Sequence, residues 1–214
     1  MTNGIWMTGR LKAFLLLGAA GMLGGAAFAQ PYQPVEIAFN LADSSKLAVL
    51  PGGSFLTVEA GTRTNHGSLL FFDSQGDYTR ILLGLPSPGR YPWSTTLSGP
   101  DGLAVLGNTL YLATPPLALE GAPPPSNTQA SILRVTFSRN LSDLPGPFFL
   151  LPADYQTLLS GSTVTLSQSA DNTATVSLLA SATGVPSDLS VDAGTGRLYI
   201  VFRANHTISW VPLQ

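Results

Sequence analysis

Beyond residue 30, apolar residues alternate with polar ones or run in short blocks, and Gly, Pro, Asn and Asp bound these blocks. This pattern is typical of β-strands joined by tight turns. No window keeps the spacing of an amphipathic helix for long. The sequence therefore predicts one all-β domain over residues 30–214.

Three segments of this domain resemble one another, and each predicts a β-hairpin with a Gly-containing turn. They begin Lys46-Leu-Ala-Val, Gly102-Leu-Ala-Val and Asp188-Leu-Ser-Val. We expect the equivalent valines to be buried around one axis. The equivalent positions are Leu47, Leu103 and Leu189, followed by Val49, Val105 and Val191.

Further strands follow the first two hairpins. Ser68–Phe72 and Tyr78–Leu83 follow the first, and Ile132–Phe137 and Phe148–Leu151 follow the second. Repeated units of four antiparallel strands are typical of β-propeller blades, which bury their faces by stacking on one another.

The long gap before the third hairpin has room for one degenerate blade. Its predicted strands are Ser162–Ser167 and Thr175–Leu179. The sequence thus predicts a small or incomplete β-propeller of about four four-stranded blades.

The ends of the chain leave three interpretations of the ring open. His206–Val211 is a third strand of the last unit, and Val35–Phe39 precedes the first hairpin with no partner of its own. Pairing these two strands would close the ring and remove unpaired edges. The alternatives are a half-propeller completed by dimerisation and a truncated product.

Residues 1–29 have the three-part pattern of a secretory signal peptide. Arg10 and Lys12 precede the apolar segment Ala13–Ala26, and Ala27-Phe28-Ala29 places small residues at the cleavage positions. An uncleaved anchor is the alternative, but the apolar run is shorter than the roughly 20 residues that span a bilayer. We expect cleavage before Gln30, a secreted or periplasmic location and no membrane span after cleavage.

Composition excludes several classes of function. The formal net charge is −2 and only 10% of residues are charged, with no basic cluster that could neutralise nucleic-acid phosphates. The chain has no cysteine, so disulfides, thiolate nucleophiles and Cys-ligated zinc are excluded.

Several blocks of the sequence are similar to those of a known family. They are Leu56-Thr-Val-Glu-Ala-Gly61, Arg80-Ile-Leu-Leu-Gly-Leu-Pro-Ser87, and Ser98-Gly-Pro-Asp-Gly-Leu-Ala-Val105 with Leu110-Tyr111. In this order they resemble the repeats of the secreted ScyD/ScyE propeller family, and similar blocks occur in NHL-type and SMP-30-like propellers. The resemblance weakens over residues 115–182. It implies a non-cytoplasmic propeller and supplies no catalytic residue.

Three aspartates form the first group of candidate binding residues. Asp43, Asp101 and Asp188 each lie shortly before an innermost strand, so we expect all three at one rim of the propeller channel. Three carboxylates could hold a hard divalent cation such as calcium. The alternative is that Asp101 and Asp188 are turn residues whose side chains accept bonds from nearby backbone N–H groups.

The second group is the densest polar cluster in the sequence, Glu59 with Arg63, Asn65 and His66. Burial raises the pKa of a glutamate, so Glu59 could bind a substrate or act as an acid or base. A salt bridge beside a turn is the alternative.

No nucleophile elbow and no His-Glu-x-x-His motif occurs in the sequence. The sequence therefore favours an exported, non-catalytic binding or scaffold module whose ligand is a small molecule, a glycan or a protein. The alternative is a metal-assisted hydrolase or lactonase of the SMP-30 type that uses Glu59 and the rim aspartates.

Overall fold

In a computed structural model, the described residues are 41, 44–87, 99–117, 129–184, 186–202 and 206–213. The chain divides into two compact units, Met1–Val35 and Glu36–Gln214, and every described residue belongs to the second unit. The expected signal peptide, the strand Val35–Phe39 and Asp43 lie outside the described residues.

The described residues form thirteen β-strands and one α-helix, which confirms the all-β prediction. The helix α1 (Pro152–Leu159) lies between the eighth and ninth strands. The strands are β1 (Ser44–Val49), β2 (Phe55–Glu59), β3 (Gly67–Phe72), β4 (Tyr78–Leu85), β5 (Gly102–Leu106), β6 (Thr109–Thr114), β7 (Gln129–Phe137), β8 (Phe148–Phe149), β9 (Val164–Ser169), β10 (Asn172–Thr183), β11 (Asp188–Asp192), β12 (Arg197–Phe202) and β13 (Thr207–Pro212).

These strands make three separate sheets. The first sheet has the order β1-β2-β3-β4-β8, the second β5-β6-β7-β10-β9 and the third β11-β12-β13. The three predicted hairpins are confirmed, since β1–β2, β5–β6 and β11–β12 all pair antiparallel. Each hairpin starts a new sheet.

The predicted degenerate blade is wrong, because its two strands belong to the second sheet. The strand β10 pairs with β7 along its length, from Ala174 opposite Phe137 to Thr183 opposite Gln129, and β9 pairs with β10. This long antiparallel ladder satisfies the backbone of β10 without a separate sheet.

The assignment of Phe148–Leu151 to the second unit is also wrong. Only Phe148 and Phe149 are in a strand, and this strand pairs in parallel with β4 of the first sheet. The first two sheets therefore have five strands each and the third has three, instead of the four that the sequence predicts.

The second sheet contributes side chains to two different cores. Its residues Leu110 and Leu112 pack with side chains of the first sheet in the first core. The intervening residues Tyr111 and Ala113 pack with side chains of the third sheet in the second core. Successive residues of a strand point to opposite faces, so both faces of the second sheet are buried.

The repeated hairpins explain which face packs against which sheet. Leu103 and Val105 pack in the first core, against the preceding sheet, and the equivalent residues of β11 pack in the second core in the same way. The expected burial of the valines is wrong for Val49, which is 74% exposed, and Val105 and Val191 are only partly buried. Val49 is exposed because its strand belongs to the first sheet, which no described sheet precedes.

The short helix α1 is the element that the sequence pattern did not predict. Pro152 occupies its first turn, and Asp154 accepts a hydrogen bond from the backbone N–H of Leu151 at 2.8 Å. Tyr155 and Leu158 are fully buried in the first core. A helix of eight residues is too short to give a clear periodicity in a window of 11 to 18 residues.

We expect Tyr155→Phe to lower the free energy of unfolding by about 1–2 kcal/mol. The buried hydroxyl of Tyr155 donates to the carbonyl oxygen of Gly84 at 2.6 Å, and the variant leaves that oxygen without this donor. Burial raises the pKa of Tyr155, so the hydroxyl keeps its proton. Urea unfolding would measure the loss, with Tyr78→Phe as the control because Tyr78 is exposed. Equal stability of both variants would contradict the role of this bond.

Candidate functional site

The first strands of the three sheets lie side by side. The strand β5 contacts both β1 and β11. A Cβ atom at Gly102 would lie 2.8 Å from the side chain of Leu189, so β5 and β11 approach too closely for a larger residue. The hydroxyl of Ser45 donates to the carbonyl oxygen of Pro100 at 2.6 Å, which ties the start of β1 to the segment before β5.

Lys46 connects charged residues at the place where the first strands meet. We call Lys46, Asp101 and Asp188 together the rim. Its ammonium lies 3.8 Å from the carboxylate of Asp188, and its charge also acts on Asp101. The structure thus brings Asp101 and Asp188 to the same lysine. Sequence reasoning missed Lys46 as a site residue, although it is the only lysine after the leader and begins the first repeat.

Asp101 is a partly buried carboxyl group of the rim. Burial raises its pKa to about 6, and the positive charge of Lys46 lowers it in partial compensation. The backbone holds the residue in place, because the N–H of Asp101 donates to the carbonyl oxygen of Ala113 at 2.8 Å. Asp101 can therefore exchange a proton close to neutral pH.

Asp188 is exposed at the first position of β11, and its side chain contacts the neighbouring backbone. Its carboxylate accepts a hydrogen bond from the N–H of Leu189 at 3.0 Å, besides its contact with Lys46. The bond to a nearby backbone N–H agrees with the alternative to metal binding, but the residue lies in a strand and not in a turn.

Glu59 is held in a buried polar contact on β2. Its side chain is 1% exposed, and its Oε2 atom accepts hydrogen bonds from the hydroxyl of Ser68 at 2.7 Å and from Nη2 of Arg80 at 3.2 Å. Ser68 lies opposite Glu59 in the sheet, and Arg80 lies on the next strand. The salt bridge of Glu59 therefore joins two strands of the first sheet, and its arginine is Arg80 and not Arg63 of the predicted cluster.

The other members of the predicted cluster form a turn, and the backbone of this turn is hydrogen-bonded to Ser87. The N–H of Asn65 donates to the carbonyl oxygen of Ser87 at 2.8 Å, and the Ser87 hydroxyl donates to the carbonyl oxygen of Arg63 at 3.1 Å. Asn65 has a left-handed φ of 56°, which asparagine tolerates well. The side chains of Arg63 and His66 are exposed.

The described residues contain no group of three His, Cys, Asp or Glu side chains that could hold a metal ion. Glu59, Asp101 and Asp188 therefore do not converge on a shared cation. In the same part of the chain, no helix is both long enough and apolar enough to cross a membrane.

Comparison with known proteins gives no assignment. No protein-family model matches the sequence, and no curated protein is significantly similar to it. The resemblance to the ScyD/ScyE family thus stays a prediction from the sequence blocks alone.

We expect Asp101→Asn to stabilise the protein at neutral and alkaline pH. The folded pKa of Asp101, about 6, lies above its usual value of 3.8, so folding favours the neutral carboxyl. Its contribution is complete below pH 3.8 and is lost as the pH rises through about 6. The shift from 3.8 to about 6 corresponds to about 3 kcal/mol, and the contact of this carboxyl group with water reduces the expected effect on stability to about 1–2 kcal/mol.

Urea unfolding of wild type and variant across this pH range measures the effect. The variant should be more stable at pH of about 8 and no more stable at about 3.5. Asp77→Asn is the control, because Asp77 is exposed in the β3–β4 turn. A gain that does not change with pH would contradict this account of Asp101.

Proposed function

We propose that the chain is an exported β-propeller-type module that binds a ligand or partner and does not catalyse a reaction. Support for the architecture comes from the second sheet, which is buried on both faces by its neighbours along the chain. Sheets that stack in chain order, with their first strands adjacent, are typical of propeller blades.

The observation that carries the non-catalytic proposal is the state of Glu59. A general acid or base must come within hydrogen-bond distance of the proton that it transfers. The carboxylate of Glu59 is instead buried and accepts bonds from Ser68 and Arg80. These contacts favour a structural role for the strongest catalytic candidate in the sequence.

The rim is the proposed binding surface. Lys46, Asp101 and Asp188 offer one positive and two negative groups where the first strands of three sheets meet. A partly buried site with both signs of charge favours a polar ligand, such as a glycan or a charged small molecule, over an apolar one.

Export is proposed on the pattern of residues 1–29. The ScyD/ScyE resemblance supports the same proposal, since it implies a non-cytoplasmic protein.

Two of the sequence blocks that carry this resemblance contain glycines with a positive φ. Gly61 has a φ of 75° beside the carbonyl of His66, and Gly84 has a φ of 84° beside Leu150.

Glu59→Ala is expected to lower stability by about 1–3 kcal/mol, because it leaves the Ser68 hydroxyl and the Arg80 guanidinium without this carboxylate. Hydrolysis of a phenyl ester and of a simple lactone, with and without calcium, should stay at background in wild type and variant. Asp77→Ala is the control for stability. Lactone hydrolysis by the wild type that disappears in Glu59→Ala at unchanged stability would overturn the proposal.

Export can be tested at the cleavage site. The mature N-terminus is expected at Gln30, and Ala29→Arg should block processing because signal peptidase accepts small side chains at that position. Intact-mass measurement of the exported protein and of the variant would check this. A mature protein that keeps residues 1–29 would refute cleavage.

A further inference from the structure

The side of the third sheet that points away from the second core carries an aromatic pair. Leu189, Leu198 and Ile200 point to the other side and are buried in that core. Alternation along β12 places Tyr199 on the outward side, and the ladder pairs it directly with Trp210 of β13. Trp210 is 51% exposed. We call this outward side, with Tyr199 and Trp210 at its centre, the aromatic face.

Three polar residues of β11 share the aromatic face. Ser190 is the ladder partner of Tyr199, and Asp188 and Asp192 lie two residues before and after Ser190 on the same strand. Side chains two residues apart on a strand point to the same side of the sheet. A row of Ser190, Tyr199 and Trp210 therefore crosses the three strands, with a carboxylate on each side of its β11 end.

Arg197 stacks on the indole of Trp210. Its guanidinium carbon lies 4.2 Å from the ring centroid, and this cation–π attraction favours one orientation of the ring. About half of Trp210 is exposed even with Arg197 against it. The aromatic face thus presents an oriented apolar ring to solvent.

The residues of β11 show that the aromatic face is not built to receive another sheet. In the second sheet, the side that receives Leu189 has Gly102 and Ala104 on its first strand, and a Cβ atom at Gly102 would lie 2.8 Å from Leu189. The repeat places Asp188 and Ser190 at these two positions of the third sheet. A packed sheet would bury the carboxylate of Asp188 against apolar side chains, which is strongly unfavourable.

The carboxylates also disfavour a lipid surface as the occupant. Hydrogen bonds from the side chain and backbone of Thr195 lower the pKa of Asp192, so this group stays ionised. Contact with a bilayer would remove water from Asp188 and Asp192 and would bring them close to anionic headgroups. The occupant must therefore have polar groups of its own beside an apolar surface.

We propose that the aromatic face binds a neutral glycan. A pyranose ring with equatorial hydroxyls has apolar C–H groups on its two faces and hydroxyls around its edge. The C–H groups can pack on the rings of Tyr199 and Trp210, while the hydroxyls bond to Ser190 and Asp188. The contacts of Asp188 with Lys46 and with the backbone of Leu189 both use its Oδ1 atom, so Oδ2 can accept from a sugar hydroxyl.

The size and charge of the aromatic face narrow the ligand further. Two strand spacings separate Ser190 from Trp210, which is about 10 Å and about the length of a disaccharide. The face carries the carboxylates of Asp188 and Asp192 and the guanidinium of Arg197. This balance favours a neutral glycan over an acidic one, because a sugar carboxylate would lie beside like charges.

The proposed glycan site goes beyond the rim and does not rest on it. The two surfaces share Asp188, but Tyr199 and Trp210 lie on β12 and β13, outside the first strands that form the rim. Asp101 belongs to the rim alone. Variants of Trp210 and of Asp101 therefore separate the two surfaces.

Calorimetric titration of the full-length protein with cellohexaose, a neutral glucan with equatorial hydroxyls, is the first test. We expect a dissociation constant of about 1 mM or lower. Trp210→Ala should raise it at least tenfold, because the contact with the indole is lost. Phe149→Ala is the matched control and should leave it unchanged, since Phe149 is 58% exposed but lies on β8 of the first sheet. Hexagalacturonate should bind at least tenfold more weakly than cellohexaose.

Tryptophan fluorescence locates the ligand on the wild-type surface. Trp93 and Trp210 are the only tryptophans after residue 30, so Trp93→Phe leaves Trp210 as the reporter in the mature protein. Cellohexaose should shift its emission to shorter wavelength, because the sugar displaces water from the indole. This measurement keeps the inference testable even if Trp210→Ala fails to fold.

No heat and no emission shift at about 10 mM cellohexaose would overturn the inference. Binding that Trp210→Ala leaves intact would overturn it as well, and loss of that binding in Asp101→Asn would place the glycan at the rim and support the proposed function instead. An equal loss of affinity in Phe149→Ala would show that any exposed aromatic ring suffices, which contradicts a site on the third sheet.

Discussion

The structure depends on the burial of both faces of the second sheet. Its strands alternate between the two cores, with Leu112 in the first and Tyr111 in the second. A sheet of this kind cannot exclude water from either face without a neighbour on each side. This constraint orders the sheets along the chain and brings their first strands together at the rim.

The sequence predicts the parts of the fold that local patterns encode. The hairpins β1–β2, β5–β6 and β11–β12 form as expected, because alternation and Gly-containing turns are local signals. The attachment of β8 and β10 could not be predicted, since partner choice depends on contacts between residues far apart in sequence. The exposure of Val49 has the same origin, because a repeat does not show which of its copies stands at the end of a stack.

The candidate site was predictable only in outline. Asp101 and Asp188 could be placed at one rim from their positions near the starts of equivalent strands, where Lys46 forms a salt bridge with Asp188 and its charge acts on Asp101. The pairing of Glu59 with Arg80 could not be predicted, because the sequence places Arg63 nearer and only the strand register brings Arg80 across β3. Polar contacts between strands therefore need the structure, whereas rim positions follow from the repeat.

Native-state hydrogen exchange tests the central position of the second sheet most directly. Amides of β6 and β7 around Leu112 and Leu133 should exchange only through global unfolding, because both residues are fully buried within the second sheet. Amides of β13, which pairs with β12 and with no other described strand, should exchange through smaller openings. Exchange in β6 and β7 as fast as in β13 would contradict a second sheet buried on both faces.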